Sequence, residues 1–155
     1  MEQCKTSSTP FQQNLKLCSD DGSKEVDATL YRQLVGSLTY LTTTRPDLAY
    51  SIIIMSQFMS NPLESNWTAA KSVLRYLHGS SDYQILYTDT YDVILAGISD
   101  SDWVGDLDDR RSITGYAFSI GSGVMAWSSK NQSPMAFSST ETEYQALCKG
   151  TCEAI

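Results

Sequence analysis

The acids in Ile98-Ser99-Asp100-Ser101-Asp102-Trp103-Val104-Gly105-Asp106 are the first side chains whose type and spacing could do chemistry. They follow an apolar run, Val93-Ile94-Leu95-Ala96, and precede Asp108-Asp109-Arg110-Arg111. An apolar run bounded by small and acidic residues reads as a buried strand. Asp100 then stands at the strand's end, because a carboxylate is too costly to bury without a partner. A strand-end aspartate beside further acids can hold a divalent cation through hard oxygen ligands. The same residues also fit an ordinary acidic turn, and only company elsewhere in the chain separates the two readings.

That company lies in Ser138-Ser139-Thr140-Glu141-Thr142-Glu143-Tyr144-Gln145-Ala146-Leu147. A Ser/Thr cluster followed by acids marks a helix N-terminus. Glu143 falls three residues after Thr140, the capping-box spacing, so it could serve only its own helix. If Ser138 and Glu141 take that role, Glu143 is free to face inward.

These blocks, with Ser112-Ile113-Thr114-Gly115-Tyr116 and Trp127-Ser128-Ser129-Lys130-Asn131-Gln132 between them, resemble the ribonuclease H domain of copia-type retrotransposon polyproteins. The upstream half resembles the same source in Tyr31-Arg32-Gln33-Leu34-Val35-Gly36-Ser37-Leu38-Thr39-Tyr40-Leu41, Thr44-Arg45-Pro46-Asp47-Leu48-Ala49-Tyr50 and Ala69-Ala70-Lys71-Ser72-Val73-Leu74-Arg75-Tyr76-Leu77. In that family these segments lie between the reverse transcriptase core and ribonuclease H. The resemblance covers nearly the whole chain in unbroken order.

The resemblance implies hydrolysis of the RNA strand of an RNA–DNA hybrid, with Mg²⁺ held by clustered carboxylates, activating water and stabilising the leaving oxygen. Matched block to block, Asp100 takes the place of the first catalytic and metal-holding aspartate, and Glu143 that of the glutamate on the first helix. Asp102 matches in position but reads as a solvated turn acid. The family's two remaining aspartates fall beyond Ile155, and its Tyr-x-Asp-Asp polymerase motif is absent. The expectation is therefore a polyprotein fragment, inactive alone; a co-opted non-catalytic binding or effector-type protein is the alternative.

The elements that must position these residues follow from periodicity. Residues 1–26 are polar and read as an extended linker. Residues 27–82 read as a helical connection region. Asp27 caps a helix to about Tyr40 with Leu30, Leu34, Leu38 and Leu41 as its stripe. Pro46 opens a second helix through Met59, ended by Asn61-Pro62. A third runs from about Ser65 to Leu77, presents Ala70, Val73, Leu74 and Leu77, and stops at Gly79. Trp67 reads as core, with Lys71 and Arg75 as a solvated basic edge; the family usually has histidine where this chain has Asn66.

Residues 83–155 read as an incomplete ribonuclease H-like domain. Ile85 to Tyr87, Val93 to Ile98, Gly115 to Ile120 and Val124 to Trp127 are short β-rich runs, with Gly121-Ser122-Gly123 as a hairpin turn. A final helix packs Tyr144 and Leu147 on the sheet. The fold class is α+β: a helical connection segment, then a truncated ribonuclease H-like mixed sheet with its first helix. The first strand is expected to leave an open edge where the chain self-associates or takes a protein partner.

Composition narrows the classes. Eleven basic against 18 acidic side chains give a formal net charge of -7, unlike the basic surface of a stand-alone nucleic-acid binder. Cys4, Cys18, Cys148 and Cys152 lack the Cys/His spacing of a zinc site, and His78 is the one histidine. Reduced thiols in an intracellular protein fit better. There is no signal-peptide pattern, and the apolar stretch at Ser51 to Met55 is too short to span a bilayer. Arg75-Tyr76-Leu77-His78 partly resembles the Arg-x-Leu-Arg motif of secreted oomycete effectors, but inside a helix it reads as a helix face.

Overall fold

The computed structural model describes residues 4–12, 15–89, 93–103, 108, 110–133 and 135–155. Val104, Gly105 and Asp106 of the first acidic block, and Asp109 of the second, lie outside the described residues. The chain divides into two compact units, Met1–Tyr83 and Gln84–Ile155.

In the first unit α1 spans Ala28–Leu41. Asp27 caps it, its Oδ1 accepting from the N–H of Thr29 at 2.8 Å and of Leu30 at 3.2 Å. A cap of this kind contributes about 1 kcal/mol. The buried stripe is Tyr31, Val35 and Leu38, while Leu30 is 53% exposed. The expected leucine stripe is thus rotated by one position. Tyr31 causes this: its ring is fully buried and its hydroxyl donates to the Met55 carbonyl at 3.0 Å. Burial pushes the Tyr31 phenol well above its usual range.

Pro46 opens a 3-10 turn, Pro46–Leu48, that runs into α2, Ala49–Ser56. The helix expected through Met59 stops earlier. The N–H groups of Gln57 and Phe58 donate to the carbonyls of Ile54 and Met55, each at 3.2 Å. Such i→i+3 bonds tighten a last turn and satisfy carbonyls a helix leaves orphaned. α3 spans Glu64–Gly79 and buries Ala69, Ala70, Val73 and Tyr76. Leu74 and Leu77, expected on the buried face, are half-buried. Asn66 is fully buried, and its Oδ1 accepts from the Leu63 N–H at 2.7 Å, which gives this residue a capping role. Trp67 is half-buried against Tyr31, with the Lys71 ammonium 5.8 Å from its ring centroid.

Gly79 does not end α3 in the expected way. It is the helix's last residue and lacks a positive φ. Its small size matters instead, since a Cβ there would stand 2.9 Å from the Thr6 Cβ.

A guanidinium ties this unit together. Arg45 Nε and Nη2 donate to the two carboxylate oxygens of Asp47 at 2.9 and 2.7 Å. Nη1 donates to the Ser80 carbonyl at 2.9 Å, and Nη2 also reaches the Ser80 hydroxyl at 2.8 Å. The rings of Tyr76 and Tyr83 lie 5.6 Å from the guanidinium carbon, a cation–π distance. Tyr76 donates its hydroxyl to Asp47 Oδ2 at 2.7 Å. The start of the 3-10 turn is thereby bound to the C-terminal end of α3.

The lead-in is held at a few points: Leu17 is buried, Ser7 N–H donates to the Arg75 carbonyl at 3.4 Å, and Glu25 bridges to Leu63. Lys16 and Lys24 are exposed outside any helix or strand, whereas Arg32 is exposed within α1. Trypsin is expected to cut at Lys16 or Lys24 before Arg32, because cleavage inside a helix requires local opening against packed contacts. Mass analysis of the first fragments checks this, and a cut at Arg32 appearing first would contradict it.

The second unit is one antiparallel sheet, ordered β1-β2-β3, with a helix on it. β1 is Leu95–Asp102, β2 Ile113–Ile120, β3 Gly123–Asn131, and α4 Ser139–Ala154. The mixed sheet expected from sequence is not what forms among the described residues: every strand pair is antiparallel. The hairpin between β2 and β3 turns through Gly121 and Ser122, with φ +58° at Gly121, a conformation glycine adopts without strain. Residues Ile85 to Tyr87, expected as a strand, form none. This stretch makes side-chain contacts instead, Tyr87 donating its hydroxyl to the Val124 carbonyl at 2.6 Å.

α4 buries Thr142, Ala146 and Gly150, one residue per helical turn. Tyr144 and Leu147, expected against the sheet, are 70% and 56% exposed. Small side chains win this face because the helix comes close: a Cβ on Gly150 would lie 3.7 Å from the Cβ atoms of both Ser99 and Tyr116. No helix among the described residues is long and apolar enough to cross a membrane.

Candidate functional site

β1 begins two residues later than its apolar run suggests and continues through Asp102. Asp100 therefore stands inside the ladder, opposite Gly115, and Asp102 stands opposite Ile113. Both aspartates are exposed. β1 is the outer strand of the sheet, so among the described residues its far side pairs with no strand. Successive side chains of a strand point to opposite faces. Ser99 faces α4, so Asp100 points to the other face, beside the open edge. Its Oδ1 accepts the Ser101 N–H at 2.9 Å.

Glu143 lies just past the first turn of α4, whose first-turn acid is Glu141. The cap belongs to Ser138, whose hydroxyl accepts the Glu141 N–H at 3.2 Å, while the Phe137 N–H donates to Glu141 Oε2 at 2.8 Å. Thr140 with Glu143 takes no part, which leaves the Glu143 carboxylate exposed. Leu147, one turn on and on the same helix face, borders a groove of about 170 Å³ with Gly97, Ile98, Ser99, Phe118, Gly150, Thr151 and Ala154. Glu143 thus stands on the side of α4 that looks over the β1 edge.

The side chain of Gln132 bonds the residue before Glu143 to the sheet. This side chain is fully buried, and its Nε2 donates to Thr114 Oγ1 at 2.8 Å and to the Thr142 carbonyl at 3.1 Å. Thr114 is the register partner of Ser101. The first turn of α4 is consequently held at the C-terminal end of β1, where Asp100 and Asp102 lie. At this corner of the unit Asp100 lies on the sheet face away from α4 and Glu143 on α4 itself, both toward the C-terminal end of β1.

The donor set at this corner is carboxylate oxygen, the type that suits Mg²⁺. Among the described residues no group of three or more His, Cys, Asp or Glu side chains is arranged to hold a metal ion. Cys148 and Cys152 are both exposed on α4, and no disulfide forms among the described residues. Sequence reasoning passed over Gln132. A single glutamine after a strand carries no pattern that announces burial, and its partners sit 18 and 10 residues away.

No family model and no solved structure matches the chain. Over 145 residues, 94% of its length, it is 43% identical to the Retrovirus-related Pol polyprotein from transposon RE2 of Arabidopsis thaliana, and covers 10% of that protein. It is 39% identical over 162 residues to the Retrovirus-related Pol polyprotein from transposon TNT 1-94 of Nicotiana tabacum, covering 12% of it. It is also 45% identical over 126 residues to the Secreted RxLR effector protein 161 of Plasmopara viticola, covering 81% of this chain and 89% of that one. The chain spans about a tenth of the length of the two Pol polyproteins it matches. Similarity of this extent, running through both units, shows that the chain belongs to the family of copia-type retrotransposon Pol polyproteins.

Proposed function

We propose that the chain is the part of a copia-type polyprotein that spans the end of reverse transcriptase and the first half of ribonuclease H. In the parent protein the substrate is the RNA strand of an RNA–DNA hybrid. Asp100 and Glu143 are then the carboxylates this segment contributes. The observation that supports the reading is that Gln132 bonds the residue before Glu143 to the register partner of Ser101, next to Asp100, at one end of the open strand edge.

Hard oxygen donors on exposed side chains fit a Mg²⁺ ion that keeps several of its waters. Bound there, Mg²⁺ would supply an activated water and stabilisation of the leaving oxygen. The residues of this chain orient rather than complete such a site, because groups that act as a unit lose far more than their share when some are missing. The segment alone is therefore expected to leave a labelled RNA–DNA hybrid intact in Mg²⁺. The same segment continued with downstream polyprotein sequence is expected to cleave it, and Asp100→Asn or Glu143→Gln to return cleavage to background. Cleavage by the segment alone above its own Asp100→Asn control would overturn the inactivity. Cleavage by the longer chain that survives both substitutions would overturn the site.

The match to most of the length of an effector-named protein favours a second reading, a co-opted non-catalytic binding protein. A longer chain with no Asp100-dependent cleavage would favour it.

A further inference from the structure

We propose that Gln132 is a positioning residue: its side-chain amide locks the first turn of α4 to the C-terminal end of β1 and thereby sets the reach of Glu143 toward Asp100. The inference rests on the reading of those two carboxylates as one site. The geometry leaves the amide a single orientation. A carbonyl oxygen can only accept, so Nε2 must face the Thr142 carbonyl, 3.1 Å away. The same nitrogen spends its second hydrogen on Thr114 Oγ1 at 2.8 Å. Gln132 is itself anchored, its backbone N–H donating to the Ser112 carbonyl at 2.8 Å. One fully buried side chain therefore joins the strand that pairs with β1 to the residue that immediately precedes Glu143.

Packing alone would not fix this level. The buried stripe of α4 is Thr142, Ala146 and Gly150, small side chains that present a smooth face to the sheet. Such a face resists sliding less than interdigitated large side chains do. A directional hydrogen bond at one end supplies the register. Gln132→Glu cannot substitute in its ionised form, because a carboxylate would set an oxygen against the Thr142 carbonyl. Gln132→Met keeps the volume and removes the donor.

The test uses the full chain with Cys4, Cys18, Cys148 and Cys152 replaced by serine. Asp100→Cys and Glu143→Cys are introduced as a pair and treated with a short bis-maleimide; a second pair, Ile98→Cys with Leu147→Cys, reports the groove further along the helix. Each pair is examined with Gln132 present and with Gln132→Met. The 100–143 yield is expected to fall about five- to tenfold in Gln132→Met, the population change that follows loss of the buried hydrogen bond to α4, while the 98–147 yield holds. Equal 100–143 yields in both backgrounds overturn the positioning role and leave the paired-carboxylate reading intact. Absence of 100–143 linkage even with Gln132 present overturns that reading and this inference with it. Loss of both pairs in Gln132→Met assigns Gln132 a purely structural role and overturns the inference.

Discussion

Arg45→Ala is expected to lower the stability of the helical unit by about 2–4 kcal/mol at neutral pH. Exposed ion pairs contribute about 0–1 kcal/mol, and breaking a buried pair costs about 3–5 kcal/mol. The side chains here are 11% exposed for Arg45 and 33% for Asp47, between those limits. Removing the guanidinium also leaves the Ser80 carbonyl and the faces of Tyr76 and Tyr83 without their cation. The direction of the Asp47 shift supplies a pH signature. Burial pushes this carboxyl up, but hydrogen bonds from Arg45 and Tyr76 and the Arg45 charge outweigh it, and the group is held below its usual range. A carboxyl depressed in the folded state stabilises above its unfolded pKa and loses that contribution as pH falls through the folded one. The wild-type chain is therefore expected to lose stability below about pH 4, and Asp47→Asn to flatten that acid limb while lowering stability at neutral pH. Urea midpoints at pH 7 and in the acid range check both, and an Arg45→Ala midpoint equal to the wild type would contradict the account.

The segment alone is expected to self-associate, and a chain continued with downstream polyprotein sequence is expected to be monomeric and more stable. β1 is an edge strand; Leu95 and Ile98 on it are 58% and 74% exposed, and Val93 and Ile94 just before it 72% and 66%. An unpaired edge with apolar side chains is a template for another strand, and burying one such side chain fully stabilises by about 1.5–3 kcal/mol. The net charge of -7 opposes association at long range but does not block the edge's donors and acceptors. Ile98→Lys, a charge placed on the edge itself, is expected to restore the monomer. Sedimentation of the segment, its Ile98→Lys variant and the longer chain at matched concentration decides it. A monodisperse segment as stable as the longer chain would refute the open-edge account.

The sequence by itself determined the family and most of the local structure. Asp27 and Gly121 placed a helix start and a hairpin, because caps and tight turns are decided by the residue at the spot and its next three neighbours. The resemblance put Asp100 and Glu143 forward as candidate carboxylates. Tertiary structure decided which faces are buried. The leucine stripe of α1 gave way to Tyr31, whose hydroxyl had a carbonyl to reach on α2. Leu147 and Tyr144 gave way to Thr142, Ala146 and Gly150, since only small side chains allow the helix so close to Ser99 and Tyr116. It also decided that Ser138, not Thr140, caps α4, which frees Glu143. Gln132 is the clearest case of what periodicity cannot contain: its burial and both its bonds depend on two elements distant in the chain meeting at one point. Local rules fix where an element starts; only packing fixes how it is rotated and at what level it stops.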